Sequence, residues 1–313
     1  MNLNPLVSVC VQTYQHVNYI KQCLDGILMQ QTTFPFEIIL GEDESSDGTR
    51  AICIDYANKY PDKIRLFLRS RKDVIYINGN PTGRYNLIEN LKACRGKYIA
   101  MCEGDDYWTD PLKLQKQVDF LEANPDYAIC FHKVQLLTEG VLSEANDVTI
   151  SRYNKIKVFP VTLNDLLQQG NFIHTPSVMF RNQVFDFPFE YWYSPIGDYF
   201  LYVILANKGY IKRLDDVMAV YRVGVGFYST LDDLSFQKNM LLYQSCILSY
   251  LSYDEQKKIL LKKQLNLINQ HFKVNVNQLP TDDILLKRLS LKKLCGLGLK
   301  KIVSKFKKIG GAS

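Results

Sequence analysis

The sequence predicts an α/β fold: a mostly parallel sheet flanked by helices, continued by a C-terminal helical extension. Three observations carry this expectation. Apolar runs of strand length alternate with stretches of helical periodicity through the first half of the chain, the pattern of a parallel sheet covered by helices. The composition, 47% hydrophobic, 22% charged and 12% aromatic over 313 residues, is that of a compact chain and excludes disordered, collagen-like and coiled-coil classes. From Leu231 to about Gln270 the pattern is continuously helical.

Taken in order, Leu6 to Val11 reads as a strand, and Tyr19, Ile20, Cys23, Leu24, Ile27 and Leu28 follow at helical spacing. Phe36 to Leu40 is a second strand, turning through Gly41 to Gly48 into a helix that carries Ile52 and Tyr56. A third strand, Ile64 to Leu68, precedes a loop rich in Gly, Asn and Pro (Asn78 to Gly83) and a helix near Leu87, Ile88 and Leu91. A fourth strand, Lys97 to Cys102, runs into Glu103-Gly104-Asp105-Asp106. Asp110 then offers an N-cap and Pro111 an N1 residue for a helix with Leu114, Val118 and Leu121. In the second half, Phe172 to Phe180 reads as a strand, Asp198 to Asn207 as a helix and Ile211 to Tyr221 as an extended segment. The expected organisation is an α/β domain over 1–230 and a helical extension over 231–313.

In open α/β sheets, ligands bind beyond the carboxyl ends of the strands. Three polar clusters fall there: Gln12-Thr13-Tyr14, Glu42-Asp43-Glu44 and Glu103 to Asp106. The crowded carboxylates of the last would raise a pKa or require a cation. Oxygen ligands of this kind suit Mg²⁺ or Mn²⁺, which would also bridge a diphosphate; the plainer alternative is a solvated acidic turn.

The net charge of +6 is unevenly spread, because residues 284–313 hold nine Lys/Arg and no Asp/Glu. The basicity is therefore a tail, and nucleic acid is not an expected partner. Leu286, Leu289, Leu294, Leu297, Ile302, Val303 and Phe306 recur among its lysines, so the tail can lie on an anionic membrane surface or pack as a helix with a solvated face. Eight scattered cysteines without a C-x-x-C pair, no signal-peptide core and no spanning segment predict a cytoplasmic chain, peripheral at the inner face of the membrane if the tail binds lipid. The nucleotide-binding, zinc-protease and hydrolase-elbow motifs G-x-G-x-x-G, G-x-x-x-x-G-K-[ST], H-E-x-x-H and G-x-S-x-G do not occur.

Val9-Cys10-Val11-Gln12-Thr13-Tyr14-Gln15, the segment Glu37 to Thr49, and Gly96-Lys97-Tyr98-Ile99-Ala100 leading to Gly104-Asp105-Asp106-Tyr107-Trp108 resemble family 2 glycosyltransferases of the GT-A, Rossmann-like fold. The resemblance covers about residues 5–226. It implies inverting transfer of a sugar from a nucleotide sugar, a UDP-sugar in this reading, to an acceptor hydroxyl with Mn²⁺ or Mg²⁺. By the same resemblance Thr13 and Tyr14 line the nucleotide pocket and Asp43 accepts from the base. Glu103-Gly104-Asp105 stands at the D-x-D position, with Glu replacing the first Asp; Glu103 or Asp105 reaches the ribose, and Asp105 or Asp106 binds the metal. Arg84 and Asn86 belong to a region that closes over the nucleotide.

Gly197-Asp198-Tyr199 resembles the motif supplying the catalytic base, although Asp198 alone would read as a helix N-cap. Tyr221-Arg222-Val223-Gly224-Val225-Gly226 resembles a Y-R-x-H-x-G segment, with Gly224 at the His position and Arg222 able to offset phosphate charge. Trp108 and His174 are expected on the acceptor side; a structural histidine is the other reading of His174. If the tail binds membrane, a lipid-linked saccharide of a bacterial cell-surface polysaccharide is the natural acceptor. The alternative is a membrane-associated, catalytically inactive binding subunit, motivated by Glu103 and Gly224.

Overall fold

The structure, a computed structural model, describes residues 4–183, 186–225 and 231–272. Residue packing divides the chain into Met1–Ile247 and Leu248–Ser313. The division falls later than the expected boundary at 230, inside the last turn of a helix. The basic tail lies outside the described residues.

In the first unit, chain order gives β1 (Val7–Thr13), α1 (Ile20–Leu28), β2 (Phe36–Glu42), α2 (Thr49–Lys59) and β3 (Ile64–Leu68). A small hairpin, β4 (Ile75–Ile77) and β5 (Asn80–Thr82), then leads to α3 (Arg84–Ala93), β6 (Tyr98–Glu103), β7 (Tyr107–Trp108) and α4 (Lys113–Ala123). The second half supplies β8 (Tyr127–Thr138), β9 (Val141–Glu144), α5 (Val148–Asn154), α6 (Leu163–Gln169), β10 (Met179–Arg181), α7 (Phe189–Tyr193), α8 (Gly197–Ala206) and β11 (Tyr210–Arg222). Helix α9 (Asp233–Tyr250) spans the division, and α10 (Asp254–Phe272) follows in the second unit.

Among the described residues, nine strands form one sheet in the order β3-β2-β1-β6-β10-β8-β11-β7, with β9 paired to β8. β3, β2, β1 and β6 are parallel. β10 is antiparallel to both β6 and β8, and β11 runs parallel to β8. Val7, Val9, Val11, Ile38, Leu40, Ala100 and Cys102 point to one face, where Ile20, Cys23, Leu24, Ile27, Leu114, Val118 and Leu121 of α1 and α4 complete a buried cluster. Each such aliphatic side chain removed from water contributes ~2 kcal/mol. On the other face α3 is pinned by two amides, Asn90 Nδ2 to Val11 O and Asn86 Nδ2 to Gly41 O, both 2.9 Å. Gly41 is required there, because a Cβ would fall 2.0 Å from Asn86 Oδ1.

Four local expectations change. The Asn78-to-Gly83 loop closes the β4–β5 hairpin, with Asn78 and Gly79 at positive φ. Asp110 accepts from Leu112 N and the helix begins only at Lys113, so Asp110 caps a turn ahead of it. The Phe172-to-Phe180 segment is broken by a 3₁₀ turn at Thr175–Ser177, and only Met179–Arg181 joins the sheet. The twelve-residue β8 is an addition, since His132, Lys133 and Gln135 interrupt its apolar run.

Candidate active site

Parallel strands bring the carboxyl ends of β1, β2 and β6 to one edge, and the three polar clusters meet there. Gln12 and Glu103 are register partners, and Gln12 Nε2 donates to Glu103 Oε1 at 2.8 Å. Asp43 N donates to Thr13 O at 3.1 Å, which locks the second loop against the first. Gly104 makes the close approach of the third possible: a Cβ would fall 2.5 Å from Thr13 Oγ1 and 2.8 Å from His16 Nδ1. Thr13 Oγ1 and His16 Nδ1 are themselves 3.2 Å apart.

Glu103, Asp105 and Asp106 each offer a carboxylate oxygen within 4.8 Å of the others. Asp106 is buried; its Oδ1 accepts from Arg222 N at 2.8 Å and its Oδ2 has no partner. Burial, then the neighbouring charge of Asp105, holds the Asp106 carboxyl well above the usual range. Burial, then the charges of Asp105 and Asp198, pushes Glu103 up to about 8, against the Gln12 hydrogen bond. An orphaned buried oxygen and an all-oxygen donor set under mutual repulsion fit a hard divalent cation.

Asp198 stands in the first turn of α8 as its second residue, so Ile196 and not Asp198 occupies the N-cap. Its Oδ2 accepts from Asn171 Nδ2 at 3.0 Å. Burial raises its pKa, while the Tyr199 N–H, Arg84 and Asn171 act in the opposite direction.

A model of the family described as "Glycosyl transferase family 2" matches residues 8–186, more than half of the chain. The chain belongs to glycosyl transferase family 2. This family 2 glycosyltransferase is 38% identical over 218 residues to an uncharacterized protein of Mycobacterium tuberculosis, covering 69% of this chain and 58% of that one. The chain thus spans less than two thirds of that relative. TuaG of Bacillus subtilis, provisionally described as a teichuronic acid biosynthesis glycosyltransferase, is 32% identical over 120 residues, 38% of this chain and 43% of that one. Two solved structures share the fold. Staphylococcus aureus TarS 1–349 in complex with UDP-GlcNAc has a TM-score of 0.56 at 20% identity, covering 92% of this chain and 77% of that one. The mannosyltransferase PcManGT of Pyrobaculum calidifontis, in complex with GDP-Man and Mn²⁺, has a TM-score of 0.54 at 15% identity, covering 96% and 81%.

Of the residues expected in the site of this family 2 glycosyltransferase, Thr13, Tyr14, Asp43, Glu103, Gly104, Asp105 and Asp106 lie at three adjoining strand ends and the loops that follow them. Tyr14 is 39% exposed. Arg222 lies beside them, its guanidinium 4.8 Å over the Tyr19 ring and 5.1 Å over Tyr107, with Nη2 donating to Gln22 Oε1. Gly224 is exposed at φ +86°, with nothing within 4 Å of a Cβ placed there.

Three expectations meet a different environment. Trp108 is 2% exposed in the core, its Nε1 donating to Pro176 O at 2.8 Å and its ring beneath Lys113, so it offers no face to an acceptor. Arg84 and Asn86, expected over the nucleotide, are 4% and 2% exposed and bind the protein's own carbonyls. His174 is buried, with Nε2 3.0 Å from Asp147 Oδ2 and its ring packed on Tyr221.

Sequence reasoning missed Arg71. It pairs with Asp43 at 2.7 Å and stacks 4.2 Å over the Tyr14 ring, tying two of the expected nucleotide residues together. Only the local arginine density of Arg69-Ser70-Arg71 could have flagged it. Asn171, the partner of Asp198, carried no signal beyond its place near His174.

Proposed function

We propose that the chain is an inverting, divalent-metal-dependent glycosyltransferase that moves a sugar from a UDP-sugar to a hydroxyl of a lipid-linked glycan in cell-surface polysaccharide synthesis. The observation that carries this reading is the convergence of Glu103, Asp105 and Asp106 at the end of β6, with the charge of Asp198 felt by Glu103. Tyr14, Thr13, Asp43 and Arg71 receive the nucleoside, and Glu103 the ribose. Asp105 and Asp106 would hold Mn²⁺ or Mg²⁺, which supplies positive charge against the diphosphate.

Asp198 takes the proton of the acceptor hydroxyl. The acceptor oxygen bonds to the anomeric carbon from the face opposite the leaving group, the carbon–oxygen bond to the diphosphate breaks, and its electron pair departs with the nucleoside diphosphate. One displacement inverts the configuration. Arg222, fixed between two tyrosine rings, adds charge on the leaving-group side. His174 borders the acceptor side.

Three things support the finer terms. The family 2 relative TuaG is described in teichuronic acid biosynthesis. Solved neighbours hold UDP-GlcNAc and GDP-Man with Mn²⁺. No described helix is long and apolar enough to cross a membrane, so membrane contact is assigned to the basic segment 284–313 on the cytoplasmic face. The open Gly224 favours a second reading, a non-catalytic binding subunit.

The test is UDP release from a panel of UDP-sugars by the purified chain with Mn²⁺ and a panel of saccharide acceptors, beside the thermal midpoint with UDP, Mn²⁺, both, and both plus EDTA. A midpoint rise that needs UDP and metal together, with UDP release lowered ~100-fold or more by Asp198→Asn, is the expected result. A midpoint indifferent to UDP sinks the donor reading. A UDP-dependent rise with no release from any donor–acceptor pair sinks catalysis and leaves the binding subunit.

A further inference from the structure

Arg84 is a buried guanidinium with two of its nitrogens left without a hydrogen bond. At 4% exposure it donates from Nη2 to Ser194 O at 2.6 Å and lies 4.3 Å over the Tyr191 ring. Nε and Nη1 have no hydrogen-bond partner among the described residues. A buried cation of this kind costs several kcal/mol unless a charge or a dipole nearby compensates it.

The compensating charge is the Asp198 carboxylate, which feels the guanidinium and follows the turn that Arg84 supports. Ser194 is itself buried and its Oγ donates to Ile196 O at 3.0 Å, so the turn from 194 to 197 is rigid and delivers the chain into α8. Gly197 is packed onto the guanidinium: a Cβ there would fall 2.2 Å from Nη1 and 2.6 Å from Cζ. The residue after this contact is Asp198. The second support of Asp198 is Asn171, whose carboxamide donates to Oδ2 and accepts from Ile173 N at 3.1 Å. A carboxylate at a helix start, held by an amide on one side and by a buried cation beneath its turn, keeps one orientation.

Arg84 also opens α3, whose Asn86 and Asn90 are bonded to the backbone of β2 and β1. One rigid helix thus reaches from the strands that present the nucleotide loops to the turn that presents the base.

We propose that Arg84 is a positioning residue that fixes the Asp198 carboxylate through the 194–197 turn, so that the base on the acceptor side and the loops on the donor side are held in one register. It does not touch substrate. The inference rests on Asp198 being the base, and two experiments separate the failure of one from the failure of the other.

The first needs no activity. Thermal midpoints of Arg84→Met, Asp198→Asn and the double variant form a cycle. A guanidinium acting on the carboxylate loses its purpose when the carboxylate is gone, so the midpoint drop from Arg84→Met falls to half or less in the Asp198→Asn background. An additive cycle overturns the inference. Arg84→Lys, which keeps the charge and loses the fork, serves should Arg84→Met fail to fold.

The second reads UDP release from UDP-GlcNAc, or from whichever panel donor is active, with Mn²⁺ and the acceptor that supports it. Arg84→Met lowers kcat about 30-fold and shifts donor KM less than about threefold; Arg84→Lys recovers part of the loss, and Gly197→Ala reproduces it by displacing the guanidinium. A loss confined to KM would return Arg84 to the donor site and overturn the proposal. Should no donor be turned over by the wild type, the functional reading falls and the stability cycle still decides the link between Arg84 and Asp198.

Discussion

Arg71 Nη1 lies 2.7 Å from Asp43 Oδ2 while its guanidinium covers the Tyr14 ring. In the proposed donor site, a nucleobase placed on Tyr14 would meet a charge pair already formed across two loops. Burial raises the Asp43 pKa, and Arg71 is its main counterweight. Replacing Asp43 by Ala leaves Arg71 without its partner and removes an acceptor from the pocket. The expected outcome is a roughly tenfold weaker Kd for UDP by calorimetry, about the worth of one hydrogen bond to a charged group. Equal affinity would remove Asp43 from the nucleotide pocket.

Asp105 and Asp198 are expected to separate binding from chemistry. Asp105→Asn should erase the Mn²⁺-dependent part of the UDP midpoint shift, because one of three clustered carboxylates is lost. Asp198→Asn should keep that shift and lower UDP release by ~100-fold or more, the usual worth of a general base. Identical behaviour of the two variants would contradict the division of roles.

Lys113 gives a stability prediction. Its ammonium is fully buried, 2.7 Å from Gln117 Oε1 and 4.0 Å over the Trp108 ring, and burial pushes its pKa down to about 7. Between about 7 and the unfolded value near 10.5 the unfolded chain binds the extra proton, so stability falls as pH is lowered through that window and the cost is complete below it. Lys113→Met should raise stability by ~2 kcal/mol at pH 7, and by much less at pH 10. Urea midpoints at the two pH values check this; an equal gain at both would show that packing and not charge is responsible.

Glu37 works with the opposite sign. It is buried and accepts from Ser8 Oγ at 2.7 Å, Arg95 Nη2 at 2.6 Å and Arg65 Nη1 at 3.1 Å. These bonds outweigh burial and lower its pKa below 4.5, so its contribution is present above the unfolded pKa and disappears as pH falls through the lower folded value. Glu37→Gln should cost ~2 kcal/mol at pH 7 and flatten the acid limb of the stability curve below pH 4.5. An acid limb identical to wild type would show that Glu37 titrates alike folded and unfolded.

The half of the molecule that carries the three polar loops was readable because local chemistry and global fold agree there. Val9, Ile38 and Ile99 sit in mainly apolar runs of strand length, and each run ends in a polar turn. Beyond Asp126 the agreement fails. His132 is buried in β8 with Nδ1 at 2.7 Å from Lys133 O, a position that no periodicity assigns to a core. Trp108 follows an acidic motif, so proximity suggested an acceptor platform, yet its register with Ala219 draws it into the sheet. Arg71 and Asp43 are 28 residues apart and become partners only through the parallel pairing of β2 and β3.

The three-residue β10 has a consequence for the order of assembly. It is the only described strand that pairs with both β6 and β8, and it arrives about 80 residues after the first of them. During synthesis the β1-β2-β3-β6 half can close on itself, but its outer edge stays open until residues 179–181 have left the ribosome. The two halves of the sheet are therefore joined by a wedge delivered late, through closure of a long loop, and the interval before it seats is when the unpaired edge of β6 is exposed to wrong partners.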